Sequence, residues 1–318
     1  MASPVSAGTT VAPSSPRAIR PNAIAATKRF LRRHGWSYLF AGPSMLFLAI
    51  FWIYPVFRSV MLAFADLNLR TNQVSFVGFA NFEKSFATPL FWLALKNSAV
   101  YTAVVVPVAL VLTIALSVMV FALPTRQQTF FKSAFYLPGV TSIAVLALVW
   151  KWLFNPVIGL FNYGLGLVGL PAQQWLGNPD LALPSLMFMA LAGGHGAGVV
   201  LLTAAMGSIP PDMYDAARID GARSSDELRY ITLPLLRPTL LYLLIIGTIG
   251  SLQLFGPVFL MTSGGPDHAT MTVVYYIYEQ AFEQFQFGYA SAMALIFMVI
   301  LIAISFFQYR ALSADLEY

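Results

Sequence analysis

The sequence predicts an all-α integral membrane protein with about six transmembrane helices. Hydrophobic residues make up 58% of its 318 residues, and charged residues only 10%. Soluble domains carry about 25% charged residues, so most of this surface must face lipid or protein. Cysteine is absent, which excludes disulfides, thiolate nucleophiles and cysteine-bound metals.

Six apolar runs approach the length of about 20 residues that a transmembrane helix needs. They lie near residues 38–62, 98–121, 134–153, 183–206, 239–261 and 289–309. The first run starts too far from residue 1 and is too long for a secretory signal, so we interpret it as an uncleaved span. Residues 1–35 lack apolar periodicity and end in a basic cluster, which predicts a mobile basic tail.

Basic residues are unevenly distributed between the predicted loops. Most lie in residues 1–35, in the loops 122–133 and 207–238, and at Arg310 before the tail 311–318. Because cytoplasmic loops carry an excess of Lys and Arg, this pattern predicts that both termini are cytoplasmic. The transmembrane domain would then cover residues 36–310.

The loop 208–238, between the fourth and fifth predicted spans, is the longest strongly charged interruption of the apolar region. It holds four arginines and five acidic residues in a chain that is otherwise almost uncharged. Pro210 and Pro211 favour a helix start, and Gly221 can end that helix by adopting a positive φ.

A second short helix is predicted to follow Gly221. It would begin with a capping box from Ser224 to Glu227. Pro234 and Pro238 should end it, because the residue before a proline disfavours the helical conformation. The loop is therefore predicted to form a helix, a glycine turn and a helix that lie parallel to the membrane.

The sequence of this loop resembles a known motif. The stretch from Asp215 to Ala222 reads Asp-Ala-Ala-Arg-Ile-Asp-Gly-Ala, followed by Leu228 and by Ile-Thr-Leu-Pro ending at Pro234. It resembles the EAA loop of bacterial ABC importer permeases, which reads Glu-Ala-Ala, two variable residues, Asp-Gly-Ala, and later Phe and Ile-x-Leu-Pro. This chain departs from the pattern where Asp215 replaces Glu and Leu228 replaces Phe.

The resemblance implies that this loop couples the membrane helices to an ATPase, since in the family it docks into a cleft on that subunit. The implied coupling residues are Asp215, Ala216, Ala217, Asp220, Gly221, Ala222, Leu228 and Pro234. The small alanines would allow close approach of a partner, and the acids and arginines would form ion pairs at its rim. The alternative is a solvated amphipathic connection.

The family also implies partners and a location. We expect a second permease subunit in a heterodimer, two copies of a cytoplasmic ATPase, and an external binding protein or lipoprotein. ATP and Mg²⁺ would be used by the ATPase chains, so this chain is expected to bind no cofactor and to be no enzyme. The expected location is the bacterial inner membrane, among lipid, without nucleic acid.

Two further motifs resemble the sugar-importing subgroup of these permeases. Asn155 and Pro156 are followed by Gly159 and Asn162 after the third predicted span, and Thr262–Pro266 reads Thr-Ser-Gly-Gly-Pro after the fifth. Together they imply a carbohydrate cargo. It would be a disaccharide, an oligosaccharide or a polyol similar to glycerol phosphate.

Polar residues inside the predicted spans are candidates for the substrate pathway, because such residues are costly in lipid and usually face a cavity. Gln253, flanked by Ser251 and Phe255, offers an amide, a hydroxyl and a ring to a sugar. The alternative is that Gln253 bonds a neighbouring helix or the partner subunit. His195 either contacts substrate or relays protons, or it bonds a carbonyl where glycines allow close helix packing.

Two other classes of membrane protein fit the sequence less well. A secondary transporter would place acidic groups or inverted repeats at the midplane, but no Asp or Glu lies deep in a predicted span. A membrane enzyme needs a convergent nucleophile, base or metal set. We find none in the sequence, so we predict no catalytic residue and no metal ligand.

Overall fold

The computed structural model describes residues 39–68 and 73–313. Contacts divide the chain into two compact units, residues 1–58 and 59–318, which are described separately. The structure is mostly helical, which confirms the predicted all-α membrane fold.

The first unit contributes residues 39–58, which belong to helix α1 (Leu39–Ala63). A π-helical turn at Ala49–Ile53 lies directly before Pro55. Proline has no N–H to donate to the preceding turn, and a wider turn is a common adjustment at such a position. The predicted mobile tail at residues 1–35 lies outside the described residues.

The second unit begins with a short hairpin and continues with helices. In chain order, its elements are β1 (Ala65–Asn68), β2 (Gln73–Phe76), α2 (Ala80–Ala87), α3 (Pro89–Phe121), α4 (Thr125–Val140), α5 (Ile143–Leu153), α6 (Leu160–Leu167), α7 (Pro179–Gly193), α8 (Gly196–Met206), α9 (Pro211–Ile219), α10 (Ser224–Leu235), α11 (Arg237–Leu252), α12 (Val273–Tyr278) and α13 (Phe287–Ser313). The two strands are antiparallel, with Ala65 opposite Phe76. This hairpin was not predicted from the sequence.

Three of the six predicted spans are single long helices, and three are bent pairs. Helices α1, α3 and α13 are each long and apolar enough to cross a membrane. The pairs α4–α5, α7–α8 and α10–α11 bend by 92°, 43° and 70°. At the sharpest bend the Ser142 hydroxyl accepts a hydrogen bond from the Ala144 N–H at 3.3 Å, so a new helix N-terminus is capped there.

Glycines allow α8 to pack closely against two neighbouring helices. A Cβ at Gly196 would lie 2.2 Å from the Phe135 carbonyl oxygen on α4, and one at Gly198 would lie 2.6 Å from the Thr113 side chain on α3. Real Cβ atoms do not approach this closely, so only glycine fits at these two positions. The predicted close packing at this glycine-rich stretch is confirmed.

The segment between α11 and α12 is fixed to helix α3 by buried polar side chains. The Asn97 amide donates to the carbonyls of His268 and Met271 at 3.1 and 3.0 Å. The Val273 N–H donates to the Ser98 hydroxyl at 3.1 Å, and the Thr272 hydroxyl donates to the Leu254 carbonyl at 2.8 Å. Because buried hydrogen bonds are costly to break, this segment is held firmly.

Asn162 organises the loop that follows α5. Its amide nitrogen donates to the carbonyls of Pro156 and Gln173, both at 2.9 Å. Its oxygen accepts from the Gln173 N–H at 3.0 Å and from the Trp175 indole at 2.9 Å. Gly159 is needed beside it, because a Cβ there would lie 2.3 Å from the Asn155 carbonyl oxygen. The motif is therefore a tightly bonded turn.

Candidate functional site

The charged loop folds as a hairpin of helices α9 and α10, and we call residues 208–238 the charged hairpin. Gly221 ends α9 with a φ of +84°, as predicted. The Gly221 N–H donates to the Arg218 carbonyl at 3.1 Å and the Ala222 N–H to the Ala217 carbonyl at 2.9 Å. This bonding closes a Schellman-type helix end, which favours glycine at the left-handed position.

The start of α10 differs from the prediction by one residue. The N-cap is Arg223, whose N–H donates to an Asp226 carboxylate oxygen at 2.9 Å. The predicted capping box from Ser224 to Glu227 is therefore wrong. Asp226 performs the function assigned to Glu227, because the first helical turn begins one residue earlier than the Ser-x-x-Glu spacing indicated.

The Glu227 carboxylate instead bonds across the hairpin to Arg218, with 2.7 Å between Arg218 Nε and Glu227 Oε1. Arg218 also lies 3.6 Å from Asp215 on its own helix. The hydrogen bond and charge of Glu227, and then the charge of Asp215, raise the pKa of the guanidinium. Further along, the Tyr214 and Thr232 hydroxyls are 3.0 Å apart. These contacts join the two helices of the hairpin.

Helix α10 ends between the two prolines that were predicted to end it, one residue after Pro234 and before Pro238. A π-helical turn at Leu228–Thr232 precedes Pro234, and the helix ends at Leu235 before the 70° bend into α11. The wider turn removes the need for a regular N–H donor at Pro234. The bend itself lies beside the pair Leu236 and Arg237.

Four of the eight predicted coupling residues are exposed on the charged hairpin, and the other four are half-buried. Asp215, Ala216, Asp220 and Gly221 are exposed, whereas Ala217, Ala222, Leu228 and Pro234 are half-buried. A Cβ at Gly221 would meet no atom within 4 Å. The tip of the hairpin is therefore open to a partner.

Two exposed non-aromatic apolar side chains of the hairpin were not predicted from the sequence. Ile219 is 87% exposed and Met213 is 42% exposed. Both interrupt a charged surface with an apolar side chain, and exposed apolar groups of this kind mark interaction sites when they cluster. Their position in a highly charged loop was the signal that could have identified them.

A cavity of about 820 Å³ lies between the bent helix pairs and α3. Its polar and aromatic lining residues are Tyr101, Thr141, Trp150, Gln253 and Phe255. Small-molecule sites are typically about 300–1,000 Å³ and combine apolar walls with a few polar groups. The cavity has this character. It includes two of the four residues predicted for the substrate pathway, Gln253 and Phe255.

Gln253 points into the cavity from the C-terminal end of α11. It is the C-cap residue of that helix, and its side chain is exposed. Among the residues that the structure describes, none forms a hydrogen bond with its amide group. An amide has two donors and an acceptor, so this group is available to a polar ligand.

Ser251 and His195 do not line the same cavity. They line a neighbouring one of about 220 Å³, and Gly194 lies between the two. The His195 Nε2 is 2.6 Å from the Leu191 carbonyl oxygen, and its Nδ1 is 3.0 Å from the Thr113 hydroxyl. Both ring nitrogens are engaged, as the packing interpretation of this residue predicts.

No group of three or more His, Asp or Glu among the described residues could hold a metal ion.

The bent spans, the cavity and the exposed hairpin define a membrane-embedded transport subunit. No protein-family model matches the sequence. The chain is 31% identical over 277 residues to the probable ABC transporter permease protein YurN of Bacillus subtilis, an alignment covering 86% of this chain and 94% of the relative. It is 30% identical over 290 residues to the lactose transport system permease protein LacF of Rhizobium radiobacter, covering 89% and 95%.

A solved structure has the same fold. It is a bacterial ABC transporter involved in the import of the acidic polysaccharide alginate, and one of its chains matches with a TM-score of 0.80 and 22% identity. The match covers 92% of this chain and 100% of that one. The sequence relatives show that this chain belongs to the permease family of ABC transporters, and it is a transport subunit rather than an enzyme.

Proposed function

We propose that this chain is one of two permease subunits of an ATP-driven importer, and that it carries a carbohydrate delivered by an external binding protein. The observation that carries the proposal is the cavity of about 820 Å³, which is lined by the unbonded Gln253 amide and by the Phe255 and Trp150 rings. The lactose permease among the relatives supports a sugar cargo. A disaccharide, an oligosaccharide or a glycerol-phosphate-like polyol belongs to this class.

The cavity offers the two kinds of contact that a sugar needs. The hydroxyl groups of a sugar can exchange hydrogen bonds with the amide of Gln253 and the hydroxyl of Thr141. Its C–H faces can pack on the rings of Trp150 and Phe255, which supply large apolar area with defined geometry. His195 and Ser251 line the adjoining space, and His195 would act through packing of α7 and α8.

The charged hairpin is proposed to dock into a cleft of the ATPase subunit. Its exposed tip combines small residues, including Ala216 and Gly221, with the exposed apolar side chains of Ile219 and Met213. Two copies of that ATPase subunit would be present, and ATP and Mg²⁺ would bind to them. Closure of the ATPases would push on α9 and α10, and the 70° junction with α11 would carry the movement to the end of α11, where Gln253 lies.

The basic residues support an orientation with the hairpin and both termini in the cytoplasm of a bacterial inner membrane. Because the chain contains no native cysteine, single cysteines can report this directly. In vesicles that contain the permease without the ATPase, a cysteine at residue 219 should react with a membrane-impermeant thiol reagent only when the vesicles are inside-out. A cysteine at residue 163 should react only in right-side-out vesicles. The reverse pattern would overturn the proposed coupling.

The transport proposal is tested in vesicles that contain the complete transporter. The chain is reconstituted with its second permease and ATPase, the binding protein is added outside, and uptake of labelled lactose, raffinose, maltotetraose and glycerol 3-phosphate is measured. We expect ATP-dependent uptake of at least one of them, with ATP hydrolysis stimulated by the loaded binding protein. Absence of uptake of all four, with an assembled complex, would contradict the proposed cargo class.

A further inference from the structure

A row of aromatic rings continues from the cavity toward the segment between α11 and α13. Phe255, which lines the cavity, stacks on Phe259 with ring centroids 5.4 Å apart. Tyr278 lies 5.2 Å from both of these rings, and Phe282 lies 5.3 Å from Tyr278. We call these four residues the aromatic row. Phe259 and Phe282 are the exposed members of the row, at 39% and 60%.

The row is held in place by its surroundings. Tyr275 packs beside it, with its ring 6.3 Å from those of Phe255 and Tyr278. Gly264 lies against Tyr275, because a Cβ there would come within 2.9 Å of the ring. The Ser98 and Asn97 bonds fix the start of α12 on α3. A fixed ring surface loses little conformational entropy when a ligand binds.

Two acidic residues lie next to members of the aromatic row in the chain. Glu279 and Glu283 lie in the π-helical turn Glu279–Glu283, which follows Tyr278 directly. Within the described part of the chain, neither forms an ion pair or a hydrogen bond. Partial burial, and then the charge of Glu283, raise the pKa of Glu279, against an opposing effect of His268.

The two acids argue against lipid as the covering of this surface. A charged side chain is costly in the hydrocarbon layer. Carboxylates are strong acceptors for hydroxyl donors. Because Glu279 follows Tyr278 and Glu283 follows Phe282 in the chain, the row and its two acids together offer a surface suited to a neutral, hydroxyl-rich ligand. The same negative charges would repel an anion.

We propose that the aromatic row, with Glu279 and Glu283, is a second carbohydrate site outside the cavity, through which a neutral sugar passes to Gln253. This inference rests on the proposed function and narrows its cargo from sugars and phosphorylated polyols to uncharged sugars. The sugar's C–H faces contact Phe259 and Phe282, and its hydroxyls donate to the two carboxylates. Phe255 belongs to both sites, which makes the path continuous.

Cysteine protection tests the site in the assembled transporter. Phe259→Cys and Phe282→Cys are made in the full chain, with Tyr163→Cys on α6 as a control that is 66% exposed and not part of the row. Partner subunits without cysteines are used, and an impermeant thiol reagent is added. We expect residues 259 and 282 to react, and whichever of lactose, raffinose or maltotetraose is imported to slow both reactions about tenfold at saturation. Glycerol 3-phosphate should protect neither.

Transport by ring variants provides the second measurement. Phe282→Trp should keep the KM for the imported sugar, whereas Phe282→Leu, which keeps apolar bulk without a ring, should raise it several-fold at nearly unchanged kcat. Glu279→Gln with Glu283→Gln should also raise the KM for the neutral sugar. A merely structural role would reduce assembly in the leucine variant, which the amount of co-purified ATPase reports.

The outcomes separate this inference from the proposed function. If the unmodified transporter imports a neutral sugar but cysteine 282 is unreactive, the second permease or lipid covers the row, and the inference is wrong. Reaction without protection, together with normal uptake by Phe282→Leu, would also overturn it. Import of glycerol 3-phosphate alone would overturn the second site while leaving the carrier function intact. Import of none of the four compounds would overturn the proposed function itself.

Discussion

The charged hairpin and the membrane cavity are built in opposite ways. The hairpin is held by contacts between nearby residues, such as Arg218 with Glu227 and Tyr214 with Thr232, and its tip is exposed. The cavity takes its walls from distant segments, with Tyr101 on α3 and Gln253 at the end of α11. A local unit can be transferred between proteins as one motif, whereas the cavity exists only when the whole bundle has assembled.

This contrast predicts different consequences of mutation. A change in the hairpin should affect the response to the ATPase and leave the bundle intact, because the hairpin buries little apolar surface. A change in the cavity should affect which sugar is carried and how strongly it binds. The two kinds of effect are distinguished by measuring ATP hydrolysis and uptake in the same vesicles.

Gly221→Val should have the largest effect. The residue has a φ of +84°, a conformation that costs a non-glycine residue about 1–2 kcal/mol and is worse for a β-branched one. Coupling free energies between sites are typically about 1–3 kcal/mol, which is about 5- to 150-fold. We therefore expect uptake to decrease by about 5- to 150-fold, while the amount of inserted chain stays unchanged. Uptake and ATPase pull-down from the same membranes provide the measurement.

Gly221→Asn is the matched control, because asparagine tolerates the left-handed conformation better than most residues. If the Gly221→Asn variant transports normally, only the geometry of the turn is required. If uptake decreases in Gly221→Asn as much as in Gly221→Val, the partner needs the space that glycine leaves. Normal uptake and normal ATPase stimulation in Gly221→Val would show that the hairpin is only a solvated connection.

The sequence allowed the hairpin to be predicted residue by residue, because its structure depends on short-range signals. The glycine turn at Gly221 and the proline-led start of α9 were correct. The capping residue was misplaced by one position, since Arg223 is an unusual N-cap and only the Asp226 bond reveals it. Ile219 was not predicted, because it lies at one of the two variable positions of the motif that the loop resembles.

The cavity could be predicted only in part. Gln253 and Phe255 stood out as polar and aromatic neighbours in an apolar run, but Thr141 and Trp150 come from another segment and carry no signal by themselves. The helix breaks that place them, such as the 92° bend between α4 and α5, are not visible in hydropathy, because the predicted apolar run 134–153 continues across the break. The β-hairpin at Ala65–Phe76 is short and lacks a turn motif of its own.

Gln253→Ala should have an intermediate effect confined to the cargo. Losing one hydrogen bond to a ligand costs about 0.5–1.5 kcal/mol, so the KM for uptake should rise about 3- to 10-fold with the ATPase still bound. Gln127→Ala is the matched control, since Gln127 is an exposed glutamine of α4 remote from the cavity. Equal kinetics for both variants, with assembly intact, would assign sugar binding to the second permease.

Arg218→Gln should have the smallest effect, and it tests whether the hairpin depends on its cross-link. The Arg218–Glu227 pair is well aligned at 2.7 Å, but the arginine is 62% exposed, and exposed ion pairs stabilise by only about 0.2–1 kcal/mol. We expect uptake to fall by no more than about fivefold. The difference between the variant and the unmodified chain should be larger at low salt concentration, where an exposed ion pair is screened less. Because Glu227→Gln removes the same pair from the other side, it should give a similar loss, and the double variant should add little to either. A loss in Arg218→Gln as large as that of Gly221→Val, with Glu227→Gln unaffected, would mean that Arg218 contacts the ATPase directly rather than holding the hairpin closed.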